Sequence, residues 1–249
     1  MKALCLALVS LALFSTLTFA QTEERNIDFT LSPALILDKK IQVAFEWLDP
    51  AHFKMKHLGV VDLPKISEQN ANKNQMIAAK IAFISNNSFD DLSHSKMNNK
   101  TFISEMLSSI GISQKTSDIW RVTNRVKAYG LPFKVSFDFN FKEVASKTLG
   151  NQVVKYLSDE ASGLKGTGKE RFMTLDMTNF SQLIYRNYAI VYMKEISPKE
   201  TLIVSVIITG FDLSAANSYF NLPPFSTTKS TMMGNFKTQI FNMARSIQK

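Results

Sequence analysis

A nine-residue run of strict alternation constrains the fold of this chain more than any other feature. From Phe133 to Phe141, apolar side chains occupy every second position, and Lys, Ser, Asp and Asn fill the positions between them. Successive side chains of a β-strand point to opposite faces of its sheet, so this period of two predicts a strand with one apolar face. The chain therefore needs a sheet, and the sheet needs an apolar layer packed against its Phe-bearing face.

Further strands are predicted on both sides of this run. Residues 120–128 alternate in the same way, and the short connection around Gly130 predicts an antiparallel hairpin with the Phe-rich strand. Three more strands are predicted at residues 171–177, 182–194 and 201–212. The last of them is apolar on both faces over most of its length, which is typical of a strand that is covered on both sides or central in its sheet.

Helical periodicity is clearest near the C-terminal end. Residues 231–247 carry an apolar stripe made of Met233, Phe236, Ile240, Ala244 and Ile247. Spacings of three and four residues place these side chains on one face of a helix. Similar spacing predicts helices over residues 32–48, 101–110 and 143–161. We therefore predict an α+β fold in which an antiparallel sheet packs against the long amphipathic C-terminal helix.

The predicted elements divide the chain into three parts. Residues 1–20 have the features of a signal peptide, with Lys2, an apolar run from Ala3 to Leu13, and small residues at Thr18 and Ala20. That run is shorter than the roughly 20 apolar residues that span a bilayer. Residues 76–249 contain the sheet and the C-terminal helix. Residues 21–75 are either an N-terminal helical extension or part of the same domain.

Composition indicates where such a protein works. Cleavage after Ala20 removes Cys5, the single cysteine of the sequence, so the exported protein has no disulfide. Many secreted domains depend on disulfides, and we therefore expect a bacterial periplasm or the extracellular space. The net charge of +8 suits an anionic membrane surface as a partner, but the charge is dispersed and serves solubility equally well. No nucleic-acid partner is predicted, because no basic stripe is combined with aromatic platforms.

Recognisable catalytic and metal-binding motifs are missing from the sequence. The three histidines, His52, His57 and His94, form no His-Glu-x-x-His motif. Residues 163–169 match the first part of a phosphate-binding loop, but Glu170 stands where Ser or Thr must hold magnesium. Gly-x-Ser-x-Gly is absent, and the Ser-x-x-Lys matches lack the companion motifs of penicillin-recognising enzymes. We predict a protein without enzymatic activity, cofactor or metal; a hydrolase with an unrecognised site is the least favoured alternative.

Three stretches together resemble a known fold. They are the strand run Gln182–Asp212, which includes Tyr185-Arg-Asn-Tyr188 and Glu200–Val206, the loop around Pro223-Pro224, and the helix Thr231–Ile247. In this order, over about residues 76–249, they resemble the helix-grip fold of the START-like superfamily. The resemblance implies an antiparallel sheet that curls around one long terminal helix, with an apolar cavity between them. Because the superfamily includes lipid carriers, hormone receptors and a few enzymes, the resemblance does not fix an activity.

Apolar residues of the predicted sheet and helix are the candidates for lining such a cavity. They are Phe137, Phe139, Tyr185, Tyr192, Met233, Phe236 and Ile240. A pattern does not distinguish a cavity wall from a filled core, so two functions stay open. The first is an exported, non-enzymatic binding protein with an apolar cavity for a lipid or other hydrophobic small molecule. The second is an envelope-associated interaction or structural protein with a solid core and no ligand.

Overall fold

The computed structural model describes residues 32–48, 74–128, 131–149, 151–181, 184–212 and 225–249. In chain order the elements are α1 (Pro33–Leu37), β1 (Gln42–Leu48), β2 (Asn74–Ser85), α2 (His94–Met97), α3 (Lys100–Leu107), β3 (Gly111–Gln114), β4 (Ile119–Ala128), β5 (Leu131–Val144), α4 (Asn151–Ser158), β6 (Glu170–Thr178), β7 (Ile184–Ser197), β8 (Glu200–Asp212) and α5 (Phe225–Gln248). Single turns of 3₁₀ helix flank α4 at Ser146–Thr148 and Asp159–Ala161.

All the strands above belong to one antiparallel sheet. Their order is β1-β2-β8-β7-β6-β5-β4-β3, so β3 to β8 form a meander and the β1–β2 pair adds to its far edge. Long strands of 12 to 14 residues make up β2, β5, β7 and β8. The prediction of an α+β fold with an antiparallel sheet and a C-terminal helix is confirmed at this level.

The Phe-rich alternation is the strand β5. Its side chains Phe137, Phe139 and Phe141 are buried on the face of the sheet that α5 covers, together with Trp120 and Val122 of β4. The two strands pair from Ala128 opposite Leu131 onward, as the predicted hairpin requires. We call this face of the sheet the first face, and the opposite one the second face.

The sheet is covered on its second face as well. Side chains of α1, of α4 and of the turn that follows α4 pack there in a second apolar core, with Ile36, Val153 and Leu157 fully buried. The strand β8 lies in the interior of the sheet between β2 and β7, and residues 201–210 are all buried. The predicted central, doubly covered strand is confirmed.

The C-terminal helix α5 packs across the first face. Phe236, Ile240 and Ala244 of the predicted stripe are buried there, and Ile247 is partly buried against the same core. The last turn of α5 is fixed to the end of β2, because the carbonyl of Ile247 accepts hydrogen bonds from Ser85 Oγ (2.5 Å) and Asn87 Nδ2 (2.8 Å). These bonds satisfy a carbonyl that the helix itself leaves unpaired at its C-terminal end.

Three boundaries differ from the predicted ones. The helix predicted over residues 32–48 is wrong, because α1 ends at Leu37 and residues 42–48 form the edge strand β1. Val43 and Phe45 face the first core, and this period of two overlaps a helical spacing in so short a stretch. The helix predicted over residues 143–161 is reduced to α4 with its flanking turns, because β5 extends to Val144. At the C-terminal end, α5 begins at Phe225, six residues before Thr231, where the predicted helix begins.

Two charged groups fasten loops to the sheet. Asp138 on the second face accepts hydrogen bonds from Lys115 (2.9 Å), Arg121 (3.1 Å) and Asn179 (2.8 Å). Burial alone would raise the pKa of Asp138, but these donors outweigh it and lower the pKa to about 2.

In the described helices, no stretch is both long and apolar enough to cross a membrane.

Glu195 of β7 fastens the glycine-rich turn at residues 162–169. Thr167 and Lys169 both donate to its carboxylate, and they lower its pKa against the opposing effect of burial. The backbone oxygen of Glu195 also approaches Gly166 so closely that a Cβ atom there would lie 2.5 Å from it. The turn precedes β6 and is occupied by its own contacts, so it has a structural role in place of the strand–loop–helix geometry of a phosphate-binding loop.

Candidate ligand-binding cavity

A cavity of about 250 Å³ lies between α5 and the first face of the sheet. Its floor is formed by strands β2 and β5 to β8, which contribute Phe137, Leu175 and Ile207 among others. Phe236 and Ile240 of α5 cover it from above. Met97 of α2 and Met106 of α3 close the side next to β4 and β5. Its wall is therefore assembled from parts of the chain that are far apart in sequence.

The structure describes the side chains of five of the seven predicted lining residues, and three of these five reach the cavity. Phe137, Phe236 and Ile240 line it. Phe139 is fully buried in the same core, with its ring stacked 6.2 Å from that of Phe141, but it does not line the cavity. Tyr185 and Met233 lie on β7 and α5, and the structure describes only their backbone.

The prediction for Tyr192 needs a correction, because this residue lies on the second face. Its ring packs 5.1 Å from that of Phe172, and its hydroxyl donates to Glu170 at 2.7 Å. Burial and that acidic neighbour raise the pKa of the phenol above its ordinary value. Along β7, Ala189 and Val191 point into the cavity, so the residues between and after them point away from it.

The interior of the cavity is apolar, and most polar groups in its wall are already paired. Ser205 Oγ donates to the carbonyl of Ile190 at 3.0 Å, and Asn187 Nδ2 donates to Thr209 Oγ1 at 2.8 Å. Among the described lining residues, the single ionisable side chain is Arg125, which is exposed at the rim. An uncharged hydrophobic molecule fits such a wall better than an ion, whose burial without a partner is costly.

Four other polar residues that line the cavity belong to the C-terminal end of α3, to β4 and to α5. Ser108 caps the C-terminal end of α3 in the left-handed conformation, and beside it Asn124 Nδ2 of β4 donates to the carbonyl of Leu107 at 3.0 Å. Gln239 and Asn242 of α5 are exposed and line the same cavity. Helix α5 contacts both α3 and β4. We call these four lining residues, Ser108, Asn124, Gln239 and Asn242, the polar rim.

Sequence reasoning missed the polar rim and the two methionines. Met97 and Met106 belong to short helices, and a short apolar pattern does not reveal which sheet it will cover. One signal for the polar rim was available in the sequence. Asn124 lies on the apolar side of an alternating strand, and a polar side chain that is buried there requires a hydrogen-bond partner. His94 supports the wall from behind, with Nε2 2.9 Å from the carbonyl oxygen of Phe141.

No arrangement for metal binding is found in the described part of the chain. Within it, no three His, Cys, Asp or Glu side chains are grouped as metal ligands. The carboxylates described above are engaged by neighbouring donors and lie outside the cavity wall.

Comparison with known proteins identifies no family. No protein-family model matches the sequence, and no curated protein matches it. Among solved structures, the chain is similar to a conserved protein from Geobacillus kaustophilus, with 9% identity over 70% of this chain and 92% of that one and a TM-score of 0.43. It is also similar to truncated norcoclaurine synthase from Thalictrum flavum, with 9% identity over 71% and 94% and a TM-score of 0.39.

A further structure of norcoclaurine synthase from Thalictrum flavum, in complex with dopamine and hydroxybenzaldehyde, covers 91% of this chain and 95% of its own. Its identity is 8% and its TM-score 0.34. Because their TM-scores lie below 0.5, these likenesses show neither a family nor an activity for this chain.

Proposed function

We propose that this protein binds a small hydrophobic molecule in the cavity between α5 and the sheet. The observation that carries the proposal is the cavity itself, an apolar space of about 250 Å³ beneath α5. Protein interiors are packed as densely as organic crystals, and few voids in them exceed the size of a water molecule. A space of this size beneath the main helix is therefore better explained by a ligand than by imperfect packing.

The size of the cavity limits the ligand. Ligand sites commonly measure about 300–1,000 Å³, and an engineered apolar cavity of about 150 Å³ already binds benzene. At roughly 30 Å³ for each atom-sized group, the volume of one water in the liquid, 250 Å³ corresponds to about eight such groups. A single ring or a short acyl chain satisfies this limit, whereas a complete diacyl lipid exceeds it.

The proposal includes export and the lack of catalysis. The apolar run and small residues of positions 1–20 support export by a signal peptide that is cleaved after Ala20. The absence of an ionisable side chain inside the described cavity wall supports a carrier or sensor in place of an enzyme, because acid–base and nucleophilic chemistry need such groups at the ligand.

Native mass spectrometry of the protein purified from its own host tests the proposal. We expect a bound species lighter than a diacyl lipid, which denaturing conditions release. A variant with Ile240→Trp fills the cavity from α5 with a larger apolar side chain, and it should lose the bound species while it remains folded. A protein that is ligand-free from its host and does not bind small hydrophobic probes would instead support the solid-core interaction protein.

A further inference from the structure

One buried polar atom at the rim of the cavity has no hydrogen-bond partner. This atom is Asn124 Oδ1, which is covered from solvent and accepts no hydrogen bond within the described part of the chain. The amide cannot simply be turned around, because its Nδ2 already donates to the carbonyl of Leu107 at 3.0 Å. Reversal would set two oxygen acceptors against each other. A buried acceptor that stays unpaired is unfavourable, so each one in a native protein requires an explanation.

The position of this acceptor indicates its use. Asn124 lines the cavity at the polar rim, while Ser205 and Asn187 elsewhere in the wall have donated to neighbouring oxygens. Among the described residues that line the cavity, Asn124 Oδ1 is the one buried side-chain acceptor without a donor. Because Oδ1 is covered, a ligand group reaches it only after the Asn124 side chain rotates.

The chemistry of the donor can be narrowed. A carboxylate or ether has only acceptors and cannot satisfy Oδ1. An ammonium group can donate, but it would be buried without an opposite charge in the described wall, and Arg125 at the rim would repel it. A hydroxyl group donates without bringing a charge.

We propose that the cavity takes a hydrophobic molecule with one terminal hydroxyl group. Its O–H donates to Asn124 Oδ1, and its hydrocarbon part lies along Phe137, Phe236 and Ile240. This inference rests on the proposed function and adds a ligand class to it.

A pair of isomers tests the donor directly. 1-Heptanol and hexyl methyl ether have the same atoms, eight of them non-hydrogen, but only the alcohol can donate. Isothermal titration of the full chain should give a Kd for the alcohol about twofold to twelvefold lower than for the ether, the range expected for one net hydrogen bond. In Asn124→Leu the preference should disappear.

Two further variants separate the inference from general damage. Within the described part of the chain, Asn140 Oδ1 is also buried and unpaired, but Asn140 alternates with Phe139 and Phe141 and so lies on the second face. Asn140→Leu should therefore keep the preference. Asn124→Asp keeps acceptor oxygens but sets one of them against the carbonyl of Leu107, so it should lose stability and still prefer the alcohol.

The outcomes distinguish the inference from the function beneath it. Equal affinities for both isomers in the wild type, or an unchanged preference in Asn124→Leu, would overturn the hydroxyl assignment while the binding function stands. If neither isomer binds the wild type at millimolar concentration, the binding function itself is refuted, and the hydroxyl assignment with it.

Discussion

Filling the cavity from the sheet should stabilise the protein, and the same substitution in the second core should destabilise it. Ala189 on β7 lines the cavity, whereas Ala82 on β2 is fully buried in the second core. Changing either alanine to leucine adds three carbon atoms to a buried strand position. The two variants are therefore matched in chemistry and in type of element, and they differ in whether space is available.

The magnitude follows from the free energy of burying apolar groups. Three carbons at about 0.8 kcal/mol each contribute about 2.4 kcal/mol, and the lost rotamer freedom of leucine opposes this by about 0.5–1 kcal/mol. Ala189→Leu should thus gain about 1–2 kcal/mol in the free energy of unfolding. Three carbons take about 90 Å³, roughly a third of the cavity. Ala82 is fully buried and does not line the cavity, so Ala82→Leu should overpack the second core and lose about 1–3 kcal/mol.

Thermal and denaturant unfolding measure both changes. For a chain of this size, Ala189→Leu should raise Tm by roughly 2–8 °C, and Ala82→Leu should lower it. Binding of 1-heptanol, measured by titration, should weaken in Ala189→Leu because the free volume is smaller. If both variants lose stability to the same extent, the space beneath α5 is filled by protein in solution, and the argument from the cavity fails.

The remaining predictions concern the contacts of Asp138 and Glu195, which hold loops against the sheet, and a matched glycine of α5. Since the pKa of Asp138 is lowered to about 2, its ionised form stabilises the fold above the ordinary pKa near 3.8, and that stability is lost as pH falls toward 2. Asp138→Asn should remove this part of the pH dependence; an unchanged acid-unfolding curve would contradict it. Gly166→Ala should destabilise the fold by about 1–3 kcal/mol, because the new Cβ meets the backbone of Glu195. Gly234→Ala, with open space around it in α5, should instead stabilise by about 0.5–1 kcal/mol, and equal effects of the two would argue against the close approach.

The sheet was predictable wherever one face of a strand is apolar and the other polar. The run Phe133–Phe141 fixes its own face assignment, because a shift by one residue would exchange every buried Phe for a polar side chain. The edge strand β1 was not predictable in the same way. Its seven residues are too few to separate a period of two from a helical spacing, and its pairing with β2 depends on tertiary contacts.

The candidate site was predictable only in part, for a related reason. Phe236 and Ile240 follow from one helical stripe, and Phe137 follows from one strand. Tyr192 was assigned to the wrong face: it directly follows Val191, which faces the first core, and neighbouring residues of a strand point to opposite faces. Whether the sheet and the helices leave a space between them depends on how Met97, Met106 and α5 pack together. The periodicity of a single sequence shows which face of an element is apolar, but it does not show how closely two such faces pack.

The bonds that hold the carbonyl of Ile247 give the helix above the cavity a fixed pivot. About 13 residues separate Ile247 from Gly234, which is about 20 Å along a helix axis. A tilt of about 10° around that pivot moves the helix at Gly234 by about 3 Å, yet it hardly disturbs the last turn. Such a tilt would widen the route by which a ligand enters and leaves beside the N-terminal half of α5, while the C-terminal end of the helix stays in place.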